Sequence, residues 1–232
     1  MARKDGGDDM RQQPGFPPAG EPVSLALFDF DGTLIPGDSV AYYLRFVRKA
    51  GAANRSEFLR ALWAAAMYCI KRMSDADSKS AALQFRKRHD EKSLDELDRE
   101  FVSRVLLPKV YAAGKDRIEQ HRREGKKLIL VSASTENYMR FVAETLGFDA
   151  LLATPIEADG TIRRNCKGEK KVQRIEAWLN ENGLTADYAS SYAYGDSKSD
   201  LPMLHLAGHP IQVNPKKKLR QLAPEMETII WK

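Results

Sequence analysis

The sequence predicts an α/β fold, a parallel-sheet core with an all-helical segment inserted after its first strand. Three observations predict it. A short apolar run, Val23 to Phe28, stops at the acids Asp29 and Asp31 and reads as a buried strand. From there to about Leu107 one helical pattern follows another, with no strand between them. Beyond Pro108, strand-like runs alternate with helical ones, the mark of a parallel sheet.

Taken in order, residues 1–22 are polar and rich in proline and glycine, with no visible signal peptide. That composition buries little apolar surface, so a disordered tail is expected. Pro36-Gly37 predicts a turn, and Asp38-Ser39 a helix cap. Helices are expected over Val40 to Ala50, Ser56 to about Lys71 with Ser56 as cap, and Asp75 to Arg88. A fourth starts at Ser93-Leu94-Asp95-Glu96, a capping-box pattern, and stops before Pro108. Asp116 to Glu124 is helical, and Lys127 to Val131 a strand running into Ser132-Ala133-Ser134. Thr135 caps a helix from Glu136 to Leu146, closed by Gly147. Leu151 to Ala153 is a short strand, and Asp159-Gly160 signals a hairpin between Thr154–Glu157 and Thr161–Arg164. A helix over Lys170 to Asn180, a strand over Ser191 to Tyr194, a helix over Leu201 to Leu206 and a strand over Pro210 to Val213 complete the pattern. The core is therefore expected over residues 23–37 and 108–232, and the helical insert over 38–107.

Composition narrows the function. Hydrophobic content is 43% and charged content 30%, ordinary for a globular chain. A net charge of +5 suits anionic ligands but is too mild to indicate nucleic acid, and no nucleic-acid-binding signature is present. Cys69 and Cys166 lie in different segments, which argues against a disulfide framework and for a reducing, cytoplasmic setting.

Ligands of open parallel sheets bind beyond the carboxyl ends of the strands. Asp29, Ser132 and Asp196 each follow an apolar strand, so they are expected to converge. With Asp31, Lys171 and Asp200 they form a set of acids, a hydroxyl and a lysine. Clustered acids need a cation, and Mg²⁺ takes hard oxygen ligands while leaving room for a phosphate. Lys171, Ser132 and backbone N–H groups near Asp31 to Thr33, with Gly32 and Thr33 among the candidates, are the expected partners of the phosphoryl oxygens. One carboxylate can then attack phosphorus, while a second handles the proton of the leaving alcohol and of water.

Asp29-Phe30-Asp31-Gly32-Thr33, Ser132, Lys171 and Gly195-Asp196-Ser197-Lys198-Ser199-Asp200 resemble, in this order, the four motifs of the haloacid dehalogenase (HAD) superfamily. The resemblance spans about residues 23 to 215 and implies a Rossmann-like core with a C1-type helical cap. It implies that Asp29 is the nucleophile and Asp31 the general acid/base. It further implies that Asp29, the Asp31 carbonyl and Asp196 hold Mg²⁺, with Asp200 beside them. The insert, Asn165 to Val172 and Asp200 to Leu204 resemble the phosphoserine-phosphatase-like branch, subfamily IB. Two departures bear on substrate: Asp38 stands where that branch has a glutamate near the cap, and Ser132-Ala133-Ser134 replaces Ser-Gly-Gly. Lys170 is the alternative to Lys171; Lys171 is favoured because Val172, Ile175 and Leu179 would form the buried face behind it.

The resemblance implies a Mg²⁺-dependent hydrolase of small phosphate esters, with Asp38 and Arg45 of the cap as candidate specificity residues. Two other readings stand beside it. Phe58 to Ile70 is apolar but for Arg60, and Arg55, Lys71 and Arg72 flank it. It either packs within the insert or rests on an anionic membrane, the latter resembling phosphatases of phosphatidylglycerophosphate. A binding module without turnover is the third reading, against which the paired acids Asp29 and Asp31 count. His89, His121, His205 and His209 lack metal-ligand spacing and are expected at surfaces or turns. Trp63, Trp178 and Trp231 are expected to pack, and Lys216-Lys217-Lys218 to start a solvated helix.

Overall fold

The computed structural model describes residues 22–157 and 159–232, so the expected N-terminal tail lies almost wholly outside the described residues. The first strand, β1, runs Val23–Phe28 as expected. Helices α1 (Ser39–Lys49), α2 (Arg55–Cys69), α3 (Asp75–Leu83) and α4 (Glu91–Phe101) follow. Next come α5 (Ala112–Arg123), β2 (Lys127–Thr135), α6 (Glu136–Leu146), β3 (Ala150–Thr154) and α7 (Glu169–Glu181). The chain ends in β4 (Ala186–Gly195), α8 (Leu201–Leu206), β5 (His209–Val213), α9 (Lys217–Leu222) and β6 (Glu227–Ile229). The strands form one sheet in the order β3-β2-β1-β4-β5-β6, with every described pairing parallel. The carboxyl ends of β1, β2 and β4 therefore lie side by side.

Caps explain where the insert's helices begin. Asp38 accepts from the Ala41 N–H and starts α1, as expected. The start of α2 differs: Asn54 is the cap, not Ser56, in a reciprocal capping box with Glu57. Asp90 caps α4 by accepting from the Ser93 N–H and hydroxyl, so the helix begins before the Ser93 box. In both cases an upstream side chain of comparable capping strength already holds the first free N–H groups. The third helix is α-helical only to Leu83 and tightens to a 3₁₀ turn over Gln84–Arg88.

The hairpin at Asp159-Gly160 does not form. Residues 155–157 and 159–164 carry no strand; a turn is held instead by the bond from Glu157 N–H to the Thr161 carbonyl. The Asp159 side chain accepts from the Thr161 N–H, a local competitor for pairing. Helix α9 starts at the lysine run, where a helix start was expected, whereas β6, only three residues long, was not legible.

Apolar side chains on one face of the sheet join the insert in one core. Phe28 and Phe30 belong with Tyr43 and Val47 of α1, Phe101 of α4 and Tyr138 of α6. Tyr43 stacks edge-on against Phe101, and a buried Asp98 accepts its hydroxyl and pairs with Arg86. By contrast, α2 and α3 rest on a small cluster of Leu44, Ala61, Ala82 and Phe58. Trp63, expected to pack, is exposed. His121, expected at the surface, is buried, with its Nε2 2.7 Å from the Tyr194 hydroxyl.

Candidate active site

β1 delivers Asp29 to the sheet's carboxyl edge, and the chain then turns sharply at Gly32. Its φ of +83° is left-handed, and a Cβ there would lie 2.1 Å from Asp196 Oδ2. Only glycine lets the β1 turn and the β4 carboxylate approach so closely. The Thr33 hydroxyl donates to Asp29 Oδ2 at 3.1 Å and orients it. Two of the expected backbone donors are otherwise engaged: Gly32 N–H bonds the Ile35 carbonyl and Thr33 N–H the Phe30 carbonyl. Gly32 and Thr33 therefore shape the site and hold Asp29, rather than presenting those N–H groups to a phosphate. This corrects the expectation.

Lys171 sits at the start of α7, wholly buried, on one face with Ile175 and Leu179. Its Nζ is 2.6 Å from Asp29 Oδ1 and 2.6 Å from Asp200 Oδ1. Lys170 points elsewhere, to Gln173. Asp200 also accepts from the Ser197 N–H and hydroxyl, which fixes the turn after β4. Lys216, at the start of the expected helix and largely exposed, reaches Asp196 Oδ2 at 2.7 Å, so this member of the lysine run also belongs to the site.

Burial is the dominant electrostatic influence. With help from Asp200 it pushes the Asp29 carboxyl up to about 8, against the pull of Lys171. Burial and then Asp38 push Asp31 up to about 6, opposed by hydrogen bonds from Ser134 and Ser39. Asp196 is raised by burial, with Lys216 opposing. Burial also acts to raise Asp200, but Lys171 and Ser197 outweigh it and hold the group below the usual carboxylate range. Lys171 is pushed above its ordinary value because its two carboxylates overcome burial.

Asp31 is gripped from two elements. Ser39 donates its N–H at 2.6 Å and its hydroxyl at 3.0 Å, and the Ser134 hydroxyl donates as well. Ser134 was visible only as a departure from a glycine; its hydroxyl on Asp31 is what that departure does. Ser132 is wholly buried and accepts from the Ser134 N–H at 3.0 Å. At this strand end Ala133 and Ser134, not Ser132, line the cavity.

The cavity above these groups is about 140 Å³, with walls that include Asp29, Asp31, Lys171, Asp196 and Asp200. Asp38, Tyr68, Asp75 and Lys79 close it from the insert. Arg45 is elsewhere: it lines a separate surface cavity with Tyr42, Glu100 and Arg104. Seven residues along α1 carry it about 10 Å from Asp38, which corrects its assignment to the site. A polar network that the sequence did not reveal joins insert to core. Lys79 donates to the Ala133 carbonyl and to Asn165 Oδ1, while Asn165 Nδ2 and Lys167 both donate to Asp75. Lys167 also donates to the Tyr68 hydroxyl. These residues lie far apart in the chain, and only the Asn165 to Val172 stretch carried any signal.

Oxygens of Asp29, Asp196 and Asp200 lie within 4.8 Å of one another, the donor set a hard divalent cation prefers. The fold and this site define an α/β protein with a carboxylate-rich, cation-binding site at the carboxyl ends of its parallel strands. Comparison with known proteins agrees. The family described as haloacid dehalogenase-like hydrolase matches residues 26–205. A histidinol-phosphatase of Neisseria meningitidis is 30% identical over 221 residues, covering 87% of this chain and 95% of that protein. A phosphoserine phosphatase of Mycobacterium tuberculosis is 26% identical, over 88% of this chain and 68% of its own length. Among solved structures, a Bordetella pertussis protein of unknown function superposes with a TM-score of 0.81 at 28% identity, covering 90% of this chain and 99% of that one. A phosphoserine phosphatase solved as a phospho-aspartyl intermediate analogue shares the fold, with a TM-score of 0.61 at 18% identity over 90% and 94% of the two chains. With most of its length matched, including the acids of both β1 and β4, the chain belongs to the haloacid dehalogenase-like hydrolases.

Proposed function

We propose that this protein is a Mg²⁺-dependent phosphatase of a small phosphorylated metabolite, acting through an aspartyl-phosphate on Asp29. The observation that carries this is the pairing of Asp29, held by Thr33 and Lys171, with Asp31, held by Ser39 and Ser134, in one cavity. Asp29 attacks phosphorus as the ester P–O bond breaks, and Asp31 gives its proton to the leaving alkoxide. An Asp31 raised to about 6 can hold and then release that proton near neutral pH. Asp31 next takes a proton from water, whose oxygen attacks the phosphorus and restores the Asp29 carboxylate.

Asp29, Asp196 and Asp200 would hold Mg²⁺, with the Asp31 carbonyl as the further expected ligand, and the bound ion would supply positive charge beside the phosphoryl oxygens. The fit is electrostatic: Asp29 must be ionised to attack, yet burial raises it to about 8, and a cation beside it favours the ionised form. Lys171, and Lys216 on Asp196, are the protein's own cations toward the phosphoryl group. The insert over residues 38–107 serves as the cap, as expected of a C1-type insertion.

The cavity, about 140 Å³ and walled on the insert side by Asp38, Tyr68, Asp75 and Lys79, favours a small polar leaving group. Asp38 puts a carboxylate in its wall, which suits an alcohol bearing an amine. Histidinol phosphate and phosphoserine are such esters, and relatives carry the names of both activities. A lipid phosphate is the second reading, favoured by the exposed apolar face of α2.

The test is turnover of p-nitrophenyl phosphate with Mg²⁺ and with EDTA, followed by a panel of histidinol phosphate, phosphoserine, sugar phosphates and lipid phosphates. Turnover that needs Mg²⁺ and disappears in Asp29→Asn is expected. Retention of more than a few per cent of the wild-type rate in Asp29→Asn removes the nucleophile assignment. Absence of turnover with every ester points to a binding module.

A further inference from the structure

Helix α2 is built inside out. Its buried face carries the small residues Ala61 and Ala64, while Leu59 is 64% exposed, Leu62 46%, Trp63 57% and the following Ile70 57%. Those four sit at i, i+3, i+4 and i+11, one continuous stripe on a helix. Large apolar side chains on a solvent-facing stripe, backed by alanines, mark a face that meets something else.

Charge indicates what. Arg55, Arg60, Lys71 and Arg72 surround the stripe and are all exposed. The one acid in α2, Glu57, is bound by Arg88. A second copy of this chain docking stripe to stripe would set these cations against their own counterparts. An anionic bilayer accepts both features: the apolar side chains enter the acyl boundary and the cations meet the headgroups.

We propose that α2 docks this protein on anionic lipid membranes, with Leu59, Leu62, Trp63 and Ile70 inserted and Arg55, Arg60, Lys71 and Arg72 at the headgroups. Tyr68, on the last turn of the same helix but about 180° around from Leu59, lines the active-site cavity, so α2 meets the site with one face and leaves the apolar stripe on the other. Docking needs no catalysis, and its test is independent of the phosphatase reading.

The full chain is sedimented with phosphatidylcholine vesicles, with and without phosphatidylserine. Binding is expected only to the phosphatidylserine vesicles and falls as salt rises. The double variant Leu59→Gln with Trp63→Gln, and separately Arg60→Glu, should each weaken binding about tenfold or more. Their melting temperatures and p-nitrophenyl phosphate turnover should not change, because these side chains are exposed and outside the cavity wall. No binding, or equal binding to neutral vesicles, overturns the proposal. So does a concentration-dependent dimer that the apolar double variant abolishes, which would show that a second copy covers the stripe.

Discussion

Gly32 lies under the carboxylate of Asp196, so close that a single added Cβ would stand 2.1 Å from Asp196 Oδ2, well inside van der Waals contact. The two residues arrive on neighbouring strands, β1 and β4, which bond directly from Ala26–Tyr192 to Phe28–Tyr194. Sheet register and one missing side chain together set the spacing of the acids.

Gly32→Ala should therefore fold poorly or work poorly. An L-residue at a left-handed φ costs about 1–2 kcal/mol, and the Asp196 carboxylate must move. A displacement near 1 Å should lower kcat/KM about a hundredfold. Steady-state kinetics beside a urea melt separate the two effects; a variant with unchanged kcat/KM would show that Asp196 has room to spare.

Mg²⁺ should raise the melting temperature of the wild type, and Asp196→Ala should remove that shift. A ligand at about 100 times its Kd stabilises by about 2.7 kcal/mol. In a domain of this size that is a rise of roughly 2–4 °C for each kcal/mol. Identical wild-type melting curves with and without millimolar Mg²⁺ would count against the carboxylate site.

Asp38 both caps α1 and stands in the cavity wall. Asp38→Ala loses both roles and should cost about 1 kcal/mol of stability. Asp38→Ser keeps a cap and loses the charge. In the serine variant, turnover of amine-bearing esters should fall more than that of p-nitrophenyl phosphate. Equal losses on all esters would place Asp38 in the general machinery, through its influence on Asp31.

Asn165→Ala should loosen the insert from the core, because Lys79 and Asp75 lose their shared partner. A buried hydrogen-bonding group left without its partner costs about 1–3 kcal/mol. Amide exchange should quicken in α3 and stay slow in β1. Unchanged exchange in α3 would mean that the remaining bonds from Lys79 and Lys167 suffice.

Burial holds the His121 imidazole below its ordinary 6.5, despite Glu124. The unfolded chain then binds a proton before the folded one does. Its contribution to stability is therefore full above about pH 6.5 and is lost as pH falls from there through the folded value. Asp29 and Asp31, raised by burial, act in the opposite sense, so the readout is a difference: from pH 7 to pH 5 the wild-type urea midpoint should fall relative to that of His121→Gln. An equal slope in both proteins would assign the acid sensitivity to other groups.

Much of the site could be read from the chain because strand ends carry it. Asp29 and Asp196 each close a strand, and the helical spacing of Ile175 and Leu179 marked Lys171 over Lys170. Lys216 was hidden within a run of lysines, and nothing local distinguishes the one that reaches Asp196. Ser39, Ser134, Lys79 and Asn165 were hidden for the same reason: each acts on a residue distant in sequence. Arg45 erred in the other direction, since a cation in the insert is at the site only if its helix turn points there.

What the sequence determined by itself was periodic or local: the α/β order, the strand ends that carry the acids, the helical insert and the glycine turn. These follow from apolar spacing and backbone freedom, which act within a few residues. The tertiary structure alone decided which lysines meet which carboxylates, that Asp31 is held from both α1 and β2, and that α2 turns its large apolar residues outward. Those outcomes depend on how elements pack. In α2 the face toward α1 and α3 is taken by Phe58, Ala61 and Ala64, so Leu59, Leu62 and Trp63 are left on the outer face.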